Sequence, residues 1–596
     1  MKKLAILYLV FLSVFIFTSC SDVLDTKDLT EYSSDDVWSD ITLAQTYVND
    51  IYSDLPWNDD HYNITCYWAD ECRARSDYDD YTFNNMLMTS DNATNWGSWS
   101  STYKYIRKCN IFLENIDNLP ESSELTDGKT EKERMTGEVT FLRAWFYHLL
   151  VSYYGGVPLV TWSYALTDDF SIARSSYEDC VNFIAAECDT AASLLPEVNT
   201  GDNIGRATKG AALALKSRVL LYAASDLHNT DKFSSYSNPA YLGYVDGNQR
   251  DRWQAAKDAA KAVVDLGLYS LYQPDPASAK EASINYHNLF IETAATSEDI
   301  FVRYWNADVD KGVYWFQNYP CGWYGNGQNG FTKSTVDAYE MADGTKFSWN
   351  NAAEAAEPYK NRDPRFYGTV IYEGDTLRPR TDDVTDQDPV GIMQAGHWET
   401  WNDETNSEED VWGLDTENGP INNWNCNETG TGCKKYLNLS TSISSSWDRH
   451  ADLTWRYFRY AEILLNYAEA CIELGEEGEA RTYLNMIRKR AGMPEITDSG
   501  DELLARCRNE RRVEMIVEDH RFFDVRRWLI GSEAYHDMYG VKIVYKLQAD
   551  HTTATIPTIT PYKITTGSWD DKAYFLPISR DELNKNSELV QNPGYE

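Results

Sequence analysis

Apolar residues recur at three- and four-residue spacing in two separated blocks of the chain, the pattern of helices that bury one face. The first block runs from about Leu43 to Leu268 and predicts helices over residues 103–116, 132–154, 176–195, 209–224 and 253–266. The second runs from Tyr457 to Leu529 and predicts 459–474, 477–491, 501–517 and a short helix through 522–528. Gly475 joins two of these into a helical hairpin, with Ala461, Ala468 and Ala470 facing Ala480, Leu484 and Ile487. Small residues on facing stripes let helices approach closely, as in tetratricopeptide arrays, although the strict repeat consensus is absent.

Between the blocks, over about 269–456, the periodicity fails. Gly, Asn, Asp and Pro punctuate the segment, as in Asn326-Gly327-Gln328-Asn329-Gly330, and any strands there are short. Ten of the twenty tryptophans lie between Trp305 and Trp455. Long irregular insertions are usually functional, which points to a ligand-facing region; the alternative is a second core that buries those rings. A C-terminal segment, 531–596, completes the pattern.

The N-terminus changes the compartment. Lys2 and Lys3 precede an apolar run from Leu4 to Phe17 that is too short to span a bilayer, and the run ends at Phe17-Thr18-Ser19-Cys20. Small residues before a cysteine are the pattern of a lipoprotein cleavage site, so residues 1–19 read as a signal peptide and Cys20 as the acylated start of a single domain, 20–596. The alternative is an ordinary secretory signal with a chance cysteine. Each buried methylene contributes about 0.8 kcal/mol, so several acyl chains hold a protein on a membrane.

Without Lys2 and Lys3 the chain carries 52 basic against 93 acidic residues, a net charge of −41. Such a surface excludes nucleic acid as a partner. No Cys/His cluster of zinc spacing appears, so neither metal nor cofactor is assigned. Cys66/Cys72 and Cys426/Cys433 are close enough to form local disulfides, whereas Cys109, Cys180, Cys188, Cys471 and Cys507 lie in helical patterns as buried thiols.

Four segments carry a resemblance. The first is Cys20-Ser21-Asp22-Val23-Leu24-Asp25; the second is Phe141-Leu142-Arg143-Ala144-Trp145-Phe146-Tyr147 with Tyr154-Gly155-Gly156-Val157-Pro158. The third joins Phe458-Arg459-Tyr460-Ala461-Glu462 and Tyr467-Ala468-Glu469-Ala470 to Asn509-Glu510-Arg511-Arg512-Val513-Glu514 and Glu518-Asp519-His520-Arg521-Phe522-Phe523-Asp524-Val525-Arg526-Arg527-Trp528. The fourth is Phe575-Leu576-Pro577-Ile578-Ser579 with Gln591-Asn592-Pro593-Gly594-Tyr595. In order and spacing they resemble the SusD/RagB family of nutrient-binding lipoproteins over nearly the whole chain. The residues themselves read as scaffold: Arg521, Asp524, Arg526 and Arg527 need partners if buried, because an unpaired buried charge is costly.

The resemblance implies a mainly α fold, a SusD-like scaffold of tetratricopeptide-like helix pairs with a large loop-rich region containing short strands. It also implies an outer-membrane, surface-exposed protein that captures oligo- or polysaccharide and acts as the lid of a SusC-like TonB-dependent transporter. By the same match, ligand contacts fall on Asp70, Arg73, Arg75, Trp96 and Trp99, with Trp323 and then Trp315 on the opposite edge. Gly322 suggests an exposed turn for Trp323; Trp96 or Trp99 could instead staple the helix that begins near Ser100. Flat rings beside hydrogen-bonding side chains suit a sugar, which offers both C–H faces and hydroxyls. Peptide cargo on the same architecture is the alternative. A surface glycoside hydrolase is disfavoured: no catalytic residue is assigned, since acidic pairs are everywhere and Gly-x-Ser-x-Gly and His-Glu-x-x-His are missing.

Overall fold

The computed structural model describes residues 34–55, 65–73, 80–306, 318–440 and 452–596, apart from 121, 123, 124, 126, 127, 166 and 328. Cys20, Arg75 and Trp315 lie outside the described residues.

The scaffold is a row of helices in which each packs on the next. Its members in chain order are α1 (Ile41–Ser53), α2 (Trp99–Asn115), α3 (Glu131–Tyr154), α4 (Tyr177–Leu194), α5 (Lys209–Ala224) and α6 (Gln249–Asp265). After α7 (Ala279–Ile291) and the loop-rich region come α8 (Tyr460–Leu474), α9 (Glu477–Arg490), α10 (Gly500–Glu514) and α11 (Arg521–Arg527). Neighbours pack from α2 through α6, and α6 then packs on α8, which packs on α9 and α10. The two periodic blocks of the sequence are therefore one continuous helical array, closed across about 190 intervening residues at the α6–α8 contact. None of these helices is long and apolar enough to cross a membrane.

Local chemistry sets the ends. Thr130 and Glu133 cap α3 reciprocally: the Glu133 N–H donates to Thr130 Oγ1 at 3.1 Å, and the Thr130 N–H donates to Glu133 at 2.8 Å. At the other end Gly155 takes φ +77°, and a Cβ there would collide with the Tyr241 carbonyl at 2.3 Å. Buried on nearly every side, α3 is the axis of the core. Gly475, at φ +83°, turns α8 into α9 as the hairpin pattern predicts.

Helix α7 lies inside the stretch read as irregular. Its signals are Ser278, which caps Glu281, and buried Ala282, Tyr286, Leu289 and Phe290.

The strands are short: β1 (Cys72–Arg73), β2 (Asp299–Trp305), β3 (Gly330–Phe331), β4 (Val370–Ile371), β5 (His397–Asn402), β6 (Ser407–Trp412), β7 (Gly432–Cys433), β8 (Leu453–Arg459), β9 (Met538–Tyr545) and β10 (Thr558–Thr565). They form pairs β1–β3, β2–β8 and β4–β7 and one sheet in the order β10-β9-β5-β6. Only β5–β9 is parallel among these pairings. The fold is mainly helical, as the periodicity predicts.

The cysteine pairing differs from expectation. Cys321 and Cys426 form a disulfide across 105 residues, while Cys66, Cys72 and Cys433 are buried free thiols. Proximity in sequence misleads here, because Cys433 is committed to β7 opposite Val370 and sits in the core, whereas Cys426 leaves a 3-10 turn towards Cys321. Cys109, Cys180, Cys188, Cys471 and Cys507 are buried free thiols, as their helical positions suggest.

Candidate functional site

The arginines and acids of the C-terminal motifs are an internal lattice. Arg459 donates to Glu298 at 2.8 Å, Glu514 at 2.6 Å and Glu518 at 2.7 Å. Glu514 also accepts from Arg365 at 3.0 Å and pairs with Arg490. Arg527 forks onto Glu469 at 2.6 and 2.7 Å, and Asp524 bridges Arg511 and Arg527. These charges are almost wholly buried and paired with opposite charges, the condition under which buried ions are tolerated.

Asp70 belongs to the same system. Arg521 holds it with two bonds of 2.7 and 2.9 Å, and Arg512 adds a third at 2.9 Å. Burial alone would raise its carboxyl; Arg512 and Arg521 together hold it well below the usual range. Next to it, burial pushes Glu71 up to about 8, against the pull of Arg521.

Arg73, on β1, pairs with Gly330 of β3, is buried, and lies 3.8 Å from Glu428. The N-terminal edge and the loop-rich region do meet: Thr332 donates its N–H to the Glu71 carbonyl and its hydroxyl to the Asp70 carbonyl. Trp96 is buried edge-on to Phe83, 5.3 Å between centroids, and Trp99, the first residue of α2, is buried edge-on to Tyr154 at 4.9 Å. Trp323, expected on an exposed turn, is fully buried. Its indole N–H donates to the Arg378 carbonyl at 3.1 Å, and the Arg380 guanidinium lies 3.6 Å from its ring centroid. Gly322 is not glycine for the sake of an exposed turn: a Cβ there would strike Arg380 at 2.2 Å and Asp415 at 2.3 Å.

Beside the Trp96–Trp99 turn lies a cavity of about 410 Å³. It is within the range of roughly 300–1,000 Å³ typical of ligand pockets. The turn contributes Gly97 and Ser98, both in the left-handed region, so the backbone rather than the two indoles faces the space. Its aromatic walls come from Trp68, Trp145 and Tyr153, from Tyr222 of α5, and from Trp455 and Tyr457 of β8. Trp68 stacks on Phe83 at 4.8 Å, which couples this wall to Trp96. The indole N–H groups of buried Trp68 and Trp145 have no hydrogen-bond partner among the described residues.

The polar side of the cavity carries Ser98, His148, Ser152, Arg218, Glu518 and Asp519. Burial, followed by the charge of Arg218, pushes His148 down to about 3, so the imidazole is neutral. Val517 and Asp519 both take positive φ, 57° and 61°. Left-handed geometry at a β-branched residue is costly, and such outliers collect at functional sites. Sequence spacing gives no signal for this assembly, because Trp68, Trp145, Trp455 and Asp519 are brought together from four distant segments.

A second concavity, of about 150 Å³, lies beside the Cys321–Cys426 disulfide and includes Trp412, Tyr562, Glu417 and Glu428. It is below the usual ligand-pocket range.

Comparison with known proteins places this geometry in context. Residues 298–595 match the profile of the SusD family, and residues 22–221 match one described as starch-binding associating with outer membrane. SusD-like protein P38 of Formosa agariphila is 23% identical over 92% of this chain and 97% of its own length. The crystal structure of a SusD-like protein from Bacteroides fragilis superposes with a TM-score of 0.73 at 29% identity, covering 96% of this chain and all of that one. A SusD-like carbohydrate binding protein from the same organism gives a TM-score of 0.69 at 22% identity, over 93% and 99%.

Proposed function

Because the chain belongs to the SusD family, whose members bind without catalysing, we propose that it captures oligo- or polysaccharide at the cell surface. It delivers the glycan to a SusC-like TonB-dependent outer-membrane transporter, which it covers as a lid, and it is held at the membrane through acylated Cys20. The observation that carries the glycan reading is the 410 Å³ cavity, whose lining combines aromatic rings with hydroxyl and carboxylate groups. That combination matches the two faces of a sugar, apolar C–H patches and hydroxyls. The starch-binding description of the N-terminal profile, and the carbohydrate binding of one structural relative, support the same class.

The seven expected contact residues take a modified part in this proposal. Asp70, Arg73, Trp96, Trp99 and Trp323 are buried and serve as framework in this proposal, while Arg75 and Trp315 are the candidates for direct contact.

The test is a binding panel of polysaccharides against a mixture of peptides, on the soluble form that begins at Ser21. Retention by at least one glycan, with no shortening of that glycan, is expected. Retention by peptides alone would overturn the glycan reading. For the anchor, Cys20→Ala is expected to move the full chain from the membrane to the soluble fraction.

A further inference from the structure

We propose that the cavity selects neutral glycans and turns away those that carry carboxylate or sulfate groups. This inference rests on the reading of the cavity as the glycan site.

Among the described residues, the charged side chains that line the cavity are Asp54, Arg218, Arg456, Glu518 and Asp519. Both cations are ion-paired, although Nη2 of Arg456 has no hydrogen-bond partner among the described residues. Arg218 forks onto Glu462 with two bonds of 2.7 Å, and Arg456 donates to Asp299 at 2.6 Å. The third basic group, His148, is neutral. On the acidic side, Asp54 accepts from Lys108 at 2.6 Å, and Glu518 is neutralised by Arg459 and Lys435, each at 2.7 Å. Asp519 is different: the hydrogen bonds to its carboxylate come from neutral donors, the backbone N–H and the hydroxyl of Thr65.

Among the described lining residues, an anionic sugar meets no guanidinium or ammonium without an acidic partner, and one carboxylate, Asp519, without an ion-pair partner. The hydrogen-bonding inventory points the same way. A sugar hydroxyl both donates and accepts, so it can donate to Asp519 and accept from a lining hydroxyl such as that of Ser98. An ionised carboxylate or sulfate only accepts, so it cannot donate to Asp519, and above the burial-raised pKa of Asp519 it also meets a like charge there. Rejection by an unfavourable contact is a common source of specificity. The net charge of −41 on residues 20–596 adds a diffuse repulsion of the same sign.

The test measures the affinity of the soluble chain for matched pairs of polysaccharides, each a neutral glycan and its carboxylated or sulfated derivative of the same linkage, at low salt. The expected result is at least about tenfold weaker binding of the charged member, the scale of one repulsive contact. The same measurement on Asp519→Asn, which keeps an oxygen for Thr65 and tolerates the left-handed backbone, is expected to narrow the gap. A charged derivative bound as tightly as its neutral parent overturns charge selection while leaving glycan capture intact. A folded Asp519→Asn with an unchanged gap overturns the role given to Asp519. Should that variant not fold, the wild-type pairs decide alone. Binding of no glycan by the wild type overturns both this inference and the function on which it rests.

Discussion

Thr65 and Asp519 are joined twice across 454 positions of the chain: the Thr65 N–H at 3.3 Å and its hydroxyl at 2.8 Å both donate to one carboxylate oxygen, Oδ1. The contact ties the segment that carries Trp68 to a turn held in left-handed geometry, and both ends face the cavity. Replacing Asp519 by Ala removes the acceptor and places an unsuited residue at φ +61°. The expected loss is about 2–4 kcal/mol, combining the two Thr65 donors left without their acceptor with left-handed strain. Asn, which keeps both features, should lose less than half as much. Urea unfolding followed by fluorescence checks the ratio, and equal losses would contradict it.

Glu514 is the hub of the buried lattice, with Arg365, Arg459 and Arg490 around it. Glu514→Ala takes a shared carboxylate from three guanidinia, each left with another acidic partner, and is expected to cost about 3–5 kcal/mol or abolish folding, as for other broken buried pairs. The pair Arg580–Asp91 is solvent-exposed on both sides, so Asp91→Ala should shift the urea midpoint little.

Glu71 makes stability depend on pH. Its carboxyl is raised by burial from 4.5 to about 8 in the folded chain, so between those values the native state keeps a proton that the unfolded state releases. Stability from this group is present below pH 4.5 and is lost as pH rises through 8. Glu71→Gln removes the titration. The variant should therefore gain on wild type by about a few kcal/mol between pH 5 and pH 8. A thermal-shift series in that window checks it; a constant difference would contradict it.

The Cys321–Cys426 disulfide closes a separation of 105 residues beside the second concavity. In the chain-entropy view a loop of this size contributes about 4–5 kcal/mol, which Cys321→Ser with Cys426→Ser should largely remove. Non-reducing peptide mapping should find this linkage and no bond between Cys426 and Cys433.

The helical array was legible because burial on one face of a helix imposes a period that composition cannot hide: the helix expected over 176–195 spans Tyr177–Leu194, and its buried positions, Tyr177, Cys180, Val181, Ile184, Cys188 and Ala191, keep three- and four-residue spacing. The dense Arg and Glu of the 510–527 segment were also readable as scaffold, since so many charges at helical spacing demand internal partners. Other features resisted. Trp323 was misread because glycine marks both an exposed turn and a crowded one, and Gly322 is crowded by Arg380 and Asp415. Helix α7 was masked by polar neighbours despite its cap at Ser278. The cavity has no local signature at all, for its walls are Trp68, Trp145, Trp455 and Asp519, and only tertiary packing makes them neighbours.

Glycan capture in the cavity is tested most directly by filling it. Ser152 lines the space from α3, close to His148, to whose carbonyl its hydroxyl donates at 2.8 Å. Ser152→Phe should occupy part of the 410 Å³ at little cost in stability, because the space is already there. The expected result is a folded protein whose affinity for its glycan falls at least about tenfold, or 1.4 kcal/mol. Unchanged affinity in a folded Ser152→Phe protein would show that the glycan binds elsewhere.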